Sequence, residues 1–168
     1  EKNNIYPEDK VIGINLGTAK RWPSKAWKKE FIIDLIKKLP YKVLVLAGPH
    51  EITLQEEILS QTNAITNNPL NTDLEFFSVV DICDVIVTGD SFCLHVALGL
   101  KKKTIALIFC TSASEIEPYE YATKIVSPFL HEYYYTDKDV DHLRGSITVD
   151  QVYQEITRLF QEDATRKL

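Results

Sequence analysis

Methionine is absent from the 168 residues, and cysteine is scarce. Cys83, Cys93 and Cys110 form no CxxC pair, and each sits inside an apolar segment. An odd set of this kind argues against a disulfide framework and reads as reduced core thiols in a cytosolic setting. With no initiating methionine, the chain reads as a piece of a longer protein. Basic residues number 19 against 24 acidic ones, a net charge of −5. A nucleic-acid partner is therefore not expected, since such proteins usually carry a basic excess. No apolar run approaches the roughly 20 residues that a membrane helix requires. The first ten residues, EKNNIYPEDK, are polar and unlike a secretory signal. Several chemical motifs are missing too. Gly13 and Gly17 do not make a GxGxxG, and there is no Walker A loop, which argues against a dinucleotide enzyme or a P-loop ATPase. Neither HExxH nor a Cys/His cluster is present, so no metal site is implied. No GxSxG elbow offers a serine nucleophile.

What is present suits one domain with a sizeable core: 45% of residues are hydrophobic and 26% charged. Short apolar runs alternate with segments of helical spacing. Val11 to Leu16, Lys42 to Ala47, Asp84 to Thr88 and Thr104 to Phe109 read as strands, with weaker ones at Ala64 to Thr66 and Lys124 to Val126. Between them, Ser24 to Leu39 reads as a helix that buries Trp27, Phe31, Leu35, Ile36 and Leu39, and Pro40 ends it. Glu51 to Ser60, Thr72 to about Ile82, and Ser91 to about Leu100 follow. A terminal amphipathic helix begins after Thr148. Thr72–Glu75 and Thr148–Gln151 both fit capping boxes. The strands are continuous apolar runs, the pattern of a sheet covered on both faces, and the alternation predicts a doubly wound parallel α/β domain. Leu130 to Ser146 lacks periodicity and reads as a long loop.

Ligands of such sheets bind beyond the carboxyl ends of the strands. Four loops are therefore expected to line one crevice: GTAKRWPSKAWKK, GPHE, GDSFCLH and CTSASEIEPY. Residues 20 to 29 hold Lys20, Arg21, Lys25, Lys28 and Lys29 and no acid, a local reversal of the overall charge that suits a phosphate or diphosphate. Lys25, Lys28 and Lys29 read equally well as a solvated helix face. Lys20 and Arg21 precede the helix and are better placed to reach the crevice. In GDSFCLH, Asp90 or Ser91 can cap the next helix, whose free N–H groups can hold a phosphate. His95 returns to the same side one turn later. The simpler reading makes Asp90 only a cap and His95 only a core histidine. Glu51 either complements a helix dipole or accepts hydrogen bonds from sugar hydroxyls.

The order of these loops resembles the C-terminal half of glycosyltransferase family 9, the ADP-heptose:lipopolysaccharide heptosyltransferases. The matching pieces are GTAKRWPSKAW from Gly17, GPHE from Gly48, LEFFSVVDICDVIVTGDSFCLHVALGL from Leu74, and EIEPY from Glu115. The resemblance implies one Rossmann-like half of a GT-B glycosyltransferase, the half that binds a nucleotide-sugar donor. It implies inverting transfer of a heptose-like sugar to a glycan or lipid-linked acceptor, such as lipopolysaccharide. Acceptor and catalytic base would belong to a missing N-terminal domain, so no catalytic residue is assigned to this chain. No cofactor and no metal are implied, and the setting is cytoplasmic, including the inner face of the membrane. By motif position, Lys20 and Ser91 would meet the diphosphate, Glu51 the ribose and Asp90 the transferred sugar, with His95 completing the site. Phe92 stands where the family usually has glycine, and Phe109-Cys110 replaces a Gly-Pro. Rings there are expected to narrow the phosphate site. Two alternatives stay open: a non-catalytic Rossmann-like module that has lost its donor, and another GT-B enzyme such as a sugar-nucleotide epimerase.

Overall fold

The computed structural model describes residues 5–18 and 21–166. Six strands form one parallel sheet: β1 (Val11–Asn15), β2 (Lys42–Leu46), β3 (Ile65–Thr66), β4 (Val85–Gly89), β5 (Lys103–Ile108) and β6 (Ala122–Val126). Their spatial order is β3-β2-β1-β4-β5-β6. The chain reverses direction of travel between β1 and β4, where Ile12 pairs with Val85 and Ile14 with Val87. That reversal opens a cleft at the carboxyl edge, because the connections from the two strands leave toward opposite faces.

Among the described residues the α-helices are α1 (Lys29–Lys38), α2 (Ile52–Leu59), α3 (Asp73–Asp81), α4 (Phe92–Gly99), the single turn α5 (Asp141–Arg144) and α6 (Val149–Arg166). Alternate strand residues feed opposite cores. Ile12, Ile14, Val43, Val45, Val85 and Val87 pack beneath α1 and α6. Val11, Leu44, Leu46 and Ile86 meet Val80 of α3 and Cys93 and Val96 of α4. Each fully buried aliphatic side chain contributes about 1.5–3 kcal/mol, which is why these strands carry almost no polar residue. Gly13 serves the second core. A β-carbon there would lie 2.6 Å from Ile86 Cδ1 and 2.9 Å from Cys83 Sγ. Burial also pushes the Cys83 and Cys93 thiols up to about 12, so both stay protonated at neutral pH and act as small apolar groups.

Both capping boxes form. Thr72 Oγ1 accepts from Glu75 N at 3.4 Å, and Glu75 Oε2 accepts from Thr72 N at 2.8 Å. Thr148 and Gln151 repeat the exchange at the start of α6. Thr72→Ala is expected to lower stability by about 0.5–2 kcal/mol, read as a shifted urea midpoint at unchanged slope.

The first helix begins later than its spacing suggests. Pro23–Lys25 form a 3₁₀ turn, Ala26 is extended, and α1 starts only at Lys29. The cause is tertiary. Ser24 Oγ donates to Lys138 O at 2.6 Å and accepts from Val140 N at 2.9 Å. Arg144 Nε donates to Ala26 O at 3.0 Å, and Trp27 Nε1 donates to Ile147 O at 2.9 Å. A continuous helix would break this strap. The expected long loop at Leu130 to Ser146 is therefore a fastened segment containing α5, with Tyr135 N donating to Cys110 O at 2.7 Å.

Candidate functional site

A crevice of about 540 Å³ opens at the β1/β4 reversal. Three of the four expected loops line it: Gly17, Thr18 and Lys25 after β1; Gly48 to Glu51 after β2; and Asp90, Ser91 and His95 after β4. The loop after β5 does not. A contribution without a sequence signal comes instead from the β3–α3 connection, through Asn67 and Asn71. Asn67 is buried and mimics a ladder strand: its Oδ1 accepts from Ala47 N at 2.9 Å and its Nδ2 donates to Ala47 O at 3.0 Å. An asparagine in a polar loop carries no local motif for this role.

Two groups at the crevice behave differently from the simplest reading. Neither Asp90 nor Ser91 caps α4. Asp90 pairs with Lys25 at 2.7 Å, the two side chains being only 23% and 11% exposed. Lys25 is thus no solvated helix residue; Lys29 points outward to Glu57, while Lys28 is half-buried beside Gly145 and pairs with Asp141. Arg21 is exposed and lies over the Trp22 ring. Lys20 lies outside the described residues.

Ser91 occupies the N-cap position with extended backbone, but its hydroxyl turns back to the sheet. Ser91 Oγ lies 2.9 Å from Thr88 Oγ1, and Asn15 Nδ2 donates to both hydroxyl oxygens at 3.1 Å. Among the described residues no side chain caps α4. Leu94 N donates to Ser91 O at 3.1 Å, and the N–H groups of Phe92 and Cys93 before it are left for solvent or a ligand, with the positive end of the helix behind them.

Glu51 is half-buried at the N-cap of α2, where Oε2 accepts from Gly48 N at 3.1 Å. A β-carbon on Gly48 would lie 3.2 Å from that oxygen, and one on Gly17 would lie 3.6 Å away. The carboxylate sits in a glycine-walled notch with acceptor capacity to spare. His95 is exposed on α4 and borders the crevice, so it is not a core histidine.

The two phenylalanines do not fill the cleft. Phe92 is 57% exposed and leans onto Phe76 and Phe77 of α3, with ring centroids 6.0 Å apart in each case. It forms a side wall of the crevice. Phe109 is buried in the core beneath α1 and α6. Of the two rings expected to narrow the phosphate site, Phe109 does not reach the crevice, whereas Phe92 lines it from the side of α3.

A six-stranded parallel sheet with a crevice at its reversal point defines a Rossmann-like α/β domain. The profile of "Glycosyltransferase family 9 (heptosyltransferase)" matches residues 1–142. The chain belongs to glycosyltransferase family 9. It is 27% identical to lipopolysaccharide heptosyltransferase 2 of Salmonella typhimurium, across 90% of this chain and 46% of that protein. It is 28% identical to lipooligosaccharide heptosyltransferase 2 of Campylobacter jejuni, across 66% of this chain and 37% of that one. The chain thus spans less than half the length of these relatives. The fold is shared with the structure of E. coli ADP-heptose lps heptosyltransferase II at a TM-score of 0.77 and 24% identity, over 96% of this chain and 49% of the other.

Proposed function

We propose that this chain is the donor-binding half of an inverting glycosyltransferase. It would hold a nucleoside-diphosphate sugar whose heptose-like sugar passes to a glycan or lipopolysaccharide acceptor. The observation that supports this most directly is the uncapped N-terminus of α4 opening into the crevice beside Lys25 and Asp90. When a nucleoside diphosphate departs, negative charge grows on its phosphates, and a helix N-terminus with lysines is suited to that charge. In this reading Lys20 and Ser91 meet the diphosphate, and Glu51 accepts hydrogen bonds from the ribose. Asp90, oriented by Lys25, meets the transferred sugar, and His95 closes the same side. No metal or cofactor takes part in this half. The acceptor hydroxyl must lose a proton to a positioned base. The greater length of the relatives supports a second domain as the source of that base and of the acceptor site. The complete protein would work in the cytoplasm, at or near the inner membrane face.

A calorimetric titration with ADP, UDP, GDP and an ADP-sugar, in the presence of EDTA, tests the reading. One nucleotide is expected to bind saturably. Lys20→Ala should weaken it at least about tenfold, or 1.4 kcal/mol, with the melting temperature unchanged. Absence of binding, both to this chain and to the complete protein, would leave a Rossmann-like module without a donor. Product analysis on the complete protein separates transfer from epimerisation.

A further inference from the structure

The loops of the crevice follow the strand order along the carboxyl edge of the sheet. They run from the β3–α3 connection through the β2 and β1 loops to the β4 loop. The end suited to phosphate lies at β4, where Lys25, Asp90 and the open first turn of α4 meet. Glu51, after β2, stands between that end and the β3–α3 connection. A nucleoside diphosphate with its phosphates at α4 and its ribose at Glu51 therefore directs its base toward the start of α3.

Aromatic surface walls that end. Phe76 of α3 and Phe92 of α4 both line the crevice. Their rings are inclined by only 25° at a centroid separation of 6.0 Å, so they lie nearly parallel and offset. Phe77 backs Phe92 from α3 at the same separation. The two helices pack side by side on one face of the sheet, over Leu44, Leu46 and Ile86, which fixes the rings in a single wall. Phe76 and Phe77 are half-buried, whereas Phe92 is supported on one side and remains 57% exposed. Phe92 also carries one of the two free N–H groups of α4, so a single residue sets the spacing between a bound phosphate and the ring. Charge selects what the ring meets. Pro49, Pro69 and Asn71 beside it are uncharged and Asp73 is acidic, which disfavours a phosphate here and suits a neutral flat group. Every nucleobase offers such a face to an aromatic side chain.

We propose that Phe92, backed by Phe76 and Phe77, is the face on which the donor's nucleobase stacks, a role that rests on the donor-binding reading of the crevice. Phe92 stands in place of the family's usual glycine, so this platform sets the chain apart from relatives that keep the glycine.

Calorimetry with ADP, GDP and UDP, and with inorganic pyrophosphate as the base-free probe, tests the role. Phe92→Leu keeps apolar bulk without an aromatic face. It should weaken the tightest of the three nucleotides at least about fivefold and leave pyrophosphate unchanged. Phe92→Tyr should bind both as the wild type does. The ring is mostly exposed, so both variants should keep the wild-type melting temperature, which separates lost stacking from lost folding. Unchanged nucleotide affinity in Phe92→Leu would overturn the platform and leave the donor reading standing. Equal loss of nucleotide and pyrophosphate would assign the ring to the shape of the phosphate site, and equal gain would make it an obstruction there; either result overturns the platform. Absence of nucleotide binding by the wild-type chain and by the complete protein would remove the donor reading and the platform with it.

Discussion

Trp27→Ala is expected to lower stability by about 3–5 kcal/mol, the range for removing a buried large aromatic side chain. The indole is 7% exposed and packs edge-on against Phe31, with centroids 6.0 Å apart. Its loss would leave a cavity under α1 and remove the donor that satisfies the Ile147 carbonyl. Urea unfolding by linear extrapolation reads the change. A loss under about 1 kcal/mol would show that Trp27 does not pin the strap to α1. Trp27→Phe should recover much of the packing while still lacking the hydrogen bond to Ile147.

Gly89→Ala is expected to damage fold and crevice together. A β-carbon at this end of β4 would lie 2.8 Å from the carbonyl oxygen of Lys25, which is backbone and has no side-chain rotation to relieve the clash. The turn that carries Lys25 must then move, and the pair with Asp90 stretches or breaks. Overpacking of this kind costs about 1–3 kcal/mol, and breaking a mostly buried pair leaves an uncompensated charge. Nucleotide affinity should fall at least about tenfold, or 1.4 kcal/mol, on top of the lower stability. Gly13→Ala is the matched control. Its β-carbon would meet the flexible ends of Ile86 and Cys83, so stability should fall while the folded fraction binds nucleotide as before. Equal affinities for the two variants, measured by calorimetry below their melting temperatures, would contradict the role given to the β4–Lys25 contact.

Much of this architecture is legible in the chain because its signals are local. Continuous apolar runs such as KVLVLA can be nothing but doubly covered strands once Gly48-Pro49 closes them, and Thr72–Glu75 announces a helix start by itself. Glu51, Asp90, Ser91 and His95 meet in one crevice because each follows a strand whose carboxyl end faces the same edge. The features that escaped depend on partners far along the chain. Lys25 looks like one of several exposed lysines until Asp90, across the cleft, claims it. Asn15 and Asn67 join the site through hydrogen bonds to β4 and β2 that no motif encodes. The late start of α1 has the same cause, since helical spacing was real but weaker than the strap. The size of Phe92 and Phe109 is plain in the sequence, but their positions follow from what they pack against. The loop after β5 leads away to β6 and lines no part of the crevice, so EIEPY stays outside it.

The strap also has a bearing on how the protein is made. Ser24 and Trp27 bond to partners 114 and 120 positions downstream. The first loop of the crevice is synthesised before the groups that hold it, Lys138 and Ile147, and it cannot settle until they follow. Such distant closures slow folding, and the interval exposes apolar strands that later lie inside the sheet. The crevice is thus assembled from distant parts of the chain, and truncation before Ile147 would leave Lys25 without the scaffold that aims it at Asp90.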